Sequence, residues 1–139
     1  MPDRRLLLLG LALLGLAGCP NTKSQSNLLT ETLEAYAAVI RWNNFEQAVA
    51  FVDPETLKAH PVTPLDLQRY HQIQVTTYNE RPPVPAGANE IRQVVEIGVV
   101  NVNTQAARSI VDNQVWHYDE PTKHWRLMSG LPDITVRDR

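Results

Sequence analysis

IRQVVEIGVVNVNTQAARSIVDNQVWHYDEPTKHWRL, residues 91–127, decides the fold. Ile91 to Val102 is rich in Val and Ile, and Arg108 to Tyr118 has the same character after the polar turn Asn101 to Gln105. Asp119-Glu120-Pro121-Thr122-Lys123 reads as a hairpin turn with Pro121 at its corner. His124 to Met128 reads as a further strand. β-rich segments joined by short polar turns make an antiparallel meander. Tight hairpins also fix which residues share a side. With the last turn centred on Pro121-Thr122, Tyr118 sits opposite Trp125 and Trp116 opposite Leu127. Carried across the previous turn, this parity puts Val95, Ile97, Val99, Ile110, Trp116, Tyr118, Trp125 and Leu127 on one side, taken as the core side. The other side mixes Glu96, Ser109, Asn113, His117, His124 and Arg126 with Val94, Val100, Val111 and Val115, so it is half wet. A bulge in the long 91–102 strand would flip part of this assignment.

Arg108, Asp112 and Gln114 share the core-side parity. A buried carboxylate without a partner costs several kcal/mol, so something must satisfy Asp112. Either the sheet curves and leaves an open end, or these residues lie outside the helical cover. Asp112 and Gln114, with Tyr36 and Trp116, form the one constellation that reads as a pocket. The blander reading is a structural hydrogen-bonded pair at the mouth of the sheet, since buried polar groups normally find partners.

Upstream, the period changes. Leu29, Leu33, Tyr36 and Ile40 lie on one face of an amphipathic helix for which Asn27 is the expected cap. Glu31 and Glu34 toward its start and Arg41 at its end suit the helix dipole. Asn43-Asn44 marks a break. Phe45, Val49 and Val52, with Ala48, make a second short helix. Asp53-Pro54-Glu55 restarts a turn or two through Leu57, with cap, first-turn proline and first-turn acid in order. Thr63-Pro64-Leu65-Asp66 resembles a capping box and opens a short helix to about Tyr70. Ile73, Val75 and Thr77 alternate with polar residues as a strand. Arg81 to Gly87, with three prolines, reads as a surface loop. Helices followed by an antiparallel meander predict an α+β domain with the helices covering one face of the sheet.

The N-terminus reads differently. Arg4-Arg5 precedes an apolar run that ends in Leu16-Ala17-Gly18-Cys19, and Cys19 is the only cysteine. The run is about 13 residues long, against the roughly 20 a membrane-spanning helix needs, so it reads as an export signal. Leu16 to Cys19 resembles the bacterial lipobox. That resemblance implies that residues 1–18 are a lipoprotein signal peptide and that Cys19 carries lipid on its thiol and its freed amine. Stable membrane anchoring takes two such chains. A lone cysteine has no disulfide partner within the chain. Residues 19–26 are then a lipid-anchored flexible linker, of which Pro20 to Ser26 spans about 20 Å if extended. Residues 27–139 are the single α+β domain. Pro20-Asn21 lacks the aspartate that such sorting uses for inner-membrane retention. The expectation is the cell envelope, facing the periplasm, with the outer membrane favoured.

Tyr118-Asp119-Glu120-Pro121-Thr122-Lys123-His124-Trp125-Arg126-Leu127 resembles the closing hairpin of the nuclear-transport-factor-two-like (cystatin-like, SnoaL-like) superfamily. The order of short helices before long strands is similar too. The wording matches over about 25 residues and the layout over the whole domain. The resemblance implies a cone: a curved antiparallel sheet wrapped round a long helix, with a pocket at the open end. The superfamily includes isomerases, dehydratases and non-catalytic binding modules, so it speaks to shape more than to function. In isomerase-type members an acid works with a tyrosine or a second acid, and Asp112 would stand for that acid.

Without residues 1–18 the chain has 11 Lys+Arg (13 less Arg4 and Arg5) and 14 Asp+Glu (15 less Asp3). Neither sign clusters, so nucleic acid is not an expected partner, and there is no basic stripe for anionic lipid. None of the four histidines, His60, His71, His117 and His124, sits at a metal-ligand spacing. No nucleophile elbow, P-loop or dinucleotide-binding glycine pattern occurs, and no cofactor is expected. The favoured expectation is a non-enzymatic, membrane-anchored module with an envelope protein partner. A homodimer through the valine-rich sheet face fits the pattern as well. The alternatives are a small apolar ligand oriented by Asp112 and Gln114, and behind it an isomerase-like enzyme using Asp112. Trp42 falls off the main helical stripe.

Overall fold

The computed structural model describes residues 23–135. The expected signal peptide (residues 1–18), Cys19 and the first part of the expected linker lie outside the described residues. The helical half comprises α1 (Gln25–Arg41), α2 (Phe45–Ala48) with a following 3-10 turn (Val49–Phe51), α3 (Pro54–Ala59) and α4 (Pro64–Tyr70). The sheet half comprises β1 (Ile73–Glu80), β2 (Val84–Gly87), β3 (Glu90–Asn101), β4 (Ala107–Asp119) and β5 (His124–Leu127). The order in the antiparallel sheet is β1-β3-β4-β5, with β2 also on β3. The helices pack against this curved sheet, which gives the cone-like α+β architecture that the superfamily resemblance implied.

Local chemistry sets the helix ends. Asp53 caps α3 by accepting from the backbone N–H of Glu55 and Thr56. Thr63 and Asp66 form a reciprocal capping box on α4. The start of α1 corrects the reading from sequence. Ser24, not Asn27, is the cap, and its Oγ accepts from Asn27 N. Gln25 and Ser26 therefore belong to the helix and not to a linker. Tertiary contacts hold this extra turn, because Gln25 O accepts from Trp125 Nε1 at 3.1 Å and Gln25 Nε2 donates to Asn89 Oδ1 at 3.2 Å. With the earlier start no acid lies in the first turn, and Glu31 pairs with Lys23 instead.

The β3–β4–β5 register follows the hairpin parity. Trp116 pairs with Leu127, Tyr118 with Trp125, Val95 with Asp112 and Ile97 with Ile110. Val95, Ile97, Val99, Ile110, Trp116, Trp125 and Leu127 are buried, and Tyr118 packs at the margin of the core. From the helices, Tyr36, Ala37, Ile40, Phe45, Ala48 and Val52 complete the interior. A parallel bridge from Val52 to Leu127, with Asp53 N donating to Leu127 O, ties the helical half to β5.

Two strand features were not read from sequence. Val84–Gly87, inside the expected loop, pairs with β3 at Val84–Arg92 and Pro85–Ile91. Proline is tolerated there because β2 is an edge strand. The bulge falls in β1, between Val75 and Thr77, and not in β3. It shifts the alternation so that Tyr78 turns inward where Thr77 was expected, and Thr77 faces out. Gly98 makes this possible. Its N–H donates to Thr77 Oγ1 at 3.1 Å, and a Cβ at Gly98 would lie 2.5 Å from that oxygen and 2.8 Å from Thr76 Oγ1. Gly98→Ala is expected to destabilise the domain by about 1–3 kcal/mol, as overpacking does. Urea unfolding of the two chains would measure it, and an unchanged midpoint would show that the bulge does not need this glycine.

Candidate functional site

Even-numbered residues of β4 point inward, so Asp112, Gln114 and Trp116 stand in a row along one strand. Gln114 is the centre of the row and is 1% exposed. Its Nε2 donates to Tyr78 OH at 3.0 Å and to Asp112 Oδ2 at 2.9 Å. Its Oε1 accepts from Trp116 Nε1 at 3.0 Å. Both amide hydrogens and the amide oxygen are thus engaged. Tyr78 reaches the network only because the β1 bulge turns it inward. Arg41, at the end of α1, lies over the Tyr78 ring at 5.1 Å and donates to Tyr78 O and to Glu80.

Tyr36 comes from α1 and meets Trp116 edge to face at 5.2 Å and Phe51 at 5.4 Å. Its hydroxyl is fully buried and accepts or donates no hydrogen bond, alone among the buried side-chain polar atoms of the described residues. The four residues expected to form a pocket, Tyr36, Asp112, Gln114 and Trp116, therefore do come together. They meet as packed interior: Tyr36 and Trp116 are 0% exposed and Asp112 is 7% exposed. Tyr36, Asp112 and Trp116 line none of the main surface clefts among the described residues, whereas Gln114 lines one of about 420 Å³ together with Arg81, Val84, Arg92, Gln93 and Val94. One cleft of about 320 Å³ lies elsewhere, between Val52, Leu57, Tyr70, Met128, Leu131 and Ile134.

Burial governs the electrostatics here. It pushes the Asp112 carboxyl up to about 6, with the Gln114 hydrogen bond opposing part of the rise. It lifts the Tyr36 hydroxyl well above the ordinary phenol range, and the nearby Asp112 charge adds to this. Tyr78 is pushed up to about 12 by burial, with Gln114 opposing. Tyr70 is raised by burial, then by Asp133 and Asp112, and its hydroxyl donates to Pro132 O at 2.7 Å. Asp112 thus sits among phenols that stay neutral, as a carboxyl able to hold a proton near neutral pH.

His60, His71, His117 and His124 are all exposed. No group of three His, Cys, Asp or Glu side chains stands close enough to hold a metal ion among the described residues. No described helix is long and apolar enough to cross a membrane. Trp42 is 84% exposed at the C-cap of α1. Reading the sequence alone missed Tyr78 as a partner of Gln114. The available signal was Gly98 within a β-rich run, since glycine in a strand marks a bulge or a close approach. No protein-family model matches the sequence, and no curated protein is significantly similar to it.

The sign of the Asp112 effect follows from its raised value. The folded state prefers the protonated carboxyl, so this contribution to stability is whole below the unfolded value near pH 4 and is lost as pH rises through about 6. Asp112→Asn is expected to flatten that slope and to gain about 3 kcal/mol at pH 8. Unfolding midpoints at pH 4, 6 and 8 would measure it. A variant that keeps the wild-type slope would place the titration elsewhere.

Proposed function

We propose that the chain is a bacterial envelope lipoprotein whose domain acts as a non-enzymatic binding or assembly module. In this reading residues 1–18 are the signal peptide and Cys19 carries the lipid. The domain faces the periplasm, with the outer membrane favoured because Pro20-Asn21 lacks the retention aspartate. The observation that carries the non-enzymatic part is the filled interior. The carboxyl that would do acid-base work in an isomerase-type relative, Asp112, is held by Gln114, and neither it nor Tyr36 lines any of the main clefts. Membership of the nuclear-transport-factor-two-like superfamily is part of the same proposal and rests on the fold and the closing hairpin.

The placement of α1 supports a role in contact. The helix has 17 residues and so runs about 25 Å, with the proposed tether before its first turn and Trp42 beyond its last. Exposed tryptophan is enriched at contact surfaces. At the far end from the bilayer it would face a partner and not the lipid. A second reading, a small apolar ligand oriented by Asp112 and Gln114, is favoured by the unpartnered Tyr36 hydroxyl. The isomerase-like reading with Asp112 ranks behind it, because the carboxyl lines none of the main clefts.

The proposal predicts that growth with an alkyne fatty acid labels the protein and that Cys19→Ser abolishes both the label and its recovery with membranes. An unlabelled wild-type chain, or a membrane fraction unchanged by Cys19→Ser, would remove the lipoprotein reading.

A further inference from the structure

We propose that the free edge of β4, from Ser109 to Asn113, is where a second copy of this chain docks. The copy would add its own β4 antiparallel about a two-fold axis at Val111. β3 pairs with β4 from Ala107 to His117, whereas β5 pairs only with Trp116 to Asp119. On the side away from β3, Val115 is closed by Met128 N, which donates to its carbonyl at 2.7 Å, and by Ser129 Oγ, which accepts from its N–H at 3.1 Å. Backbone groups alternate along a strand, so the N–H and C=O of Ser109, Val111 and Asn113 point the same way as those of Val115. Among the described residues, none outside the strand bonds to them.

The opposite edge of the sheet is treated differently. Asn43 Nδ2 donates to Ile73 O and Asn43 Oδ1 accepts from Val75 N, both at 2.8 Å, so one side chain stands in for a neighbouring strand. Arg41 then donates to Tyr78 O. β2 carries Pro85, which offers no N–H. Exposed edges that must stay unpaired are blunted by such devices or by outward charge. The chain after β5 touches the β4 edge at its two ends, Ser129 at Val115 and Ile134 O accepting from Arg108, and between them the edge has neither. Ser109, Val111 and Asn113 are uncharged, and Val111 is 58% exposed.

The open stretch is also self-complementary. Val115 is closed and Ala107 ends the strand, so Val111 is its middle. A two-fold there pairs Val111 with Val111 and Ser109 with Asn113, each pair exchanging both backbone bonds. On the inner side it sets Asp112 beside Ile110 and Arg108 beside Gln114, so no like charges stand directly opposite, and the two Asp112 carboxyls fall diagonally across the axis. The occupant that this unpaired and self-complementary stretch fits is a second copy of itself.

The test uses the full chain carrying Cys19→Ser, which makes it independent of the lipid proposal and leaves no other thiol. Val111→Cys in that chain is expected to give a disulfide-linked dimer on mild oxidation, whereas Asn79→Cys, exposed on β1, is not. Sedimentation of the parent chain at tens of micromolar should show dimer. Val111→Pro, whose lost N–H points outward, should weaken dimerisation at least tenfold while keeping the circular dichroism of the parent. A monomeric parent chain would overturn the proposal, and so would crosslinking of Val111→Cys no faster than Asn79→Cys. Dimers undiminished by Val111→Pro would assign the contact to another surface, such as the valine-rich sheet face.

Discussion

The carboxamide of Gln114 is the constraint on which the interior depends. One neutral side chain satisfies the hydroxyl of Tyr78, the carboxylate of Asp112 and the indole N–H of Trp116. Each of these groups would be costly to bury alone. Together they form a packed, mutually satisfied row, which meets the main surface clefts only through Gln114 and Tyr78. Trp116 is then free to pack against Tyr36, which seats α1 in the concave face of the sheet. The order of causes runs through the backbone. Gly98 leaves room for Thr76 and Thr77 to bulge, the bulge turns Tyr78 inward, and Tyr78 gives Gln114 its third partner.

The same network has a cost built into it. Asp112 has one hydrogen-bond donor, from Gln114, and little water, so its charge is poorly supported and its proton is held up to about 6. In a pocket enzyme such a carboxyl would be poised for proton transfer. Here it lines none of the main clefts, and structural networks perturb ionisation in the same way. The Tyr36 hydroxyl, buried without a partner, is the other unspent polar group of the interior. These two groups are where a displaceable ligand would be felt first.

Much of the architecture was legible in the sequence because it rests on short-range rules. The turn at Pro121-Thr122 fixed the parity of Trp116, Tyr118, Trp125 and Leu127, and the same parity carried across to Val95, Ile97 and Val99. Thr63 with Asp66 and Asp53 with Pro54 announced two helix starts through cap chemistry. The gathering of Tyr36, Asp112, Gln114 and Trp116 was legible from parity and helical phase. The rest depended on contacts between distant segments. Thr76 and Thr77 suit a regular strand equally well, so nothing within β1 marked the bulge that exchanges Thr77 for Tyr78, and the one signal, Gly98, lies on β3. The prolines of 81–87 spoke for a loop, yet β3 recruited Val84–Gly87 as an edge. Ser24 displaced Asn27 as the cap because Trp125 and Asn89 hold the extra turn of α1 in place. That Tyr36, Asp112 and Trp116 pack away from the main clefts while Gln114 lines one could not be read at all, since it depends on side-chain fit across the strands.

The central claim is that the Gln114 amide holds the interior closed. It is tested most directly by equilibrium urea unfolding of the wild-type chain and of Gln114→Met, which keeps the volume and removes the hydrogen bonds. Leaving three buried polar groups short of a partner should cost about 3–5 kcal/mol. A loss below about 1 kcal/mol, within the range of a volume-conserving swap, would mean that water already reaches Asp112, Tyr78 and Trp116, and that the cone is an open pocket after all.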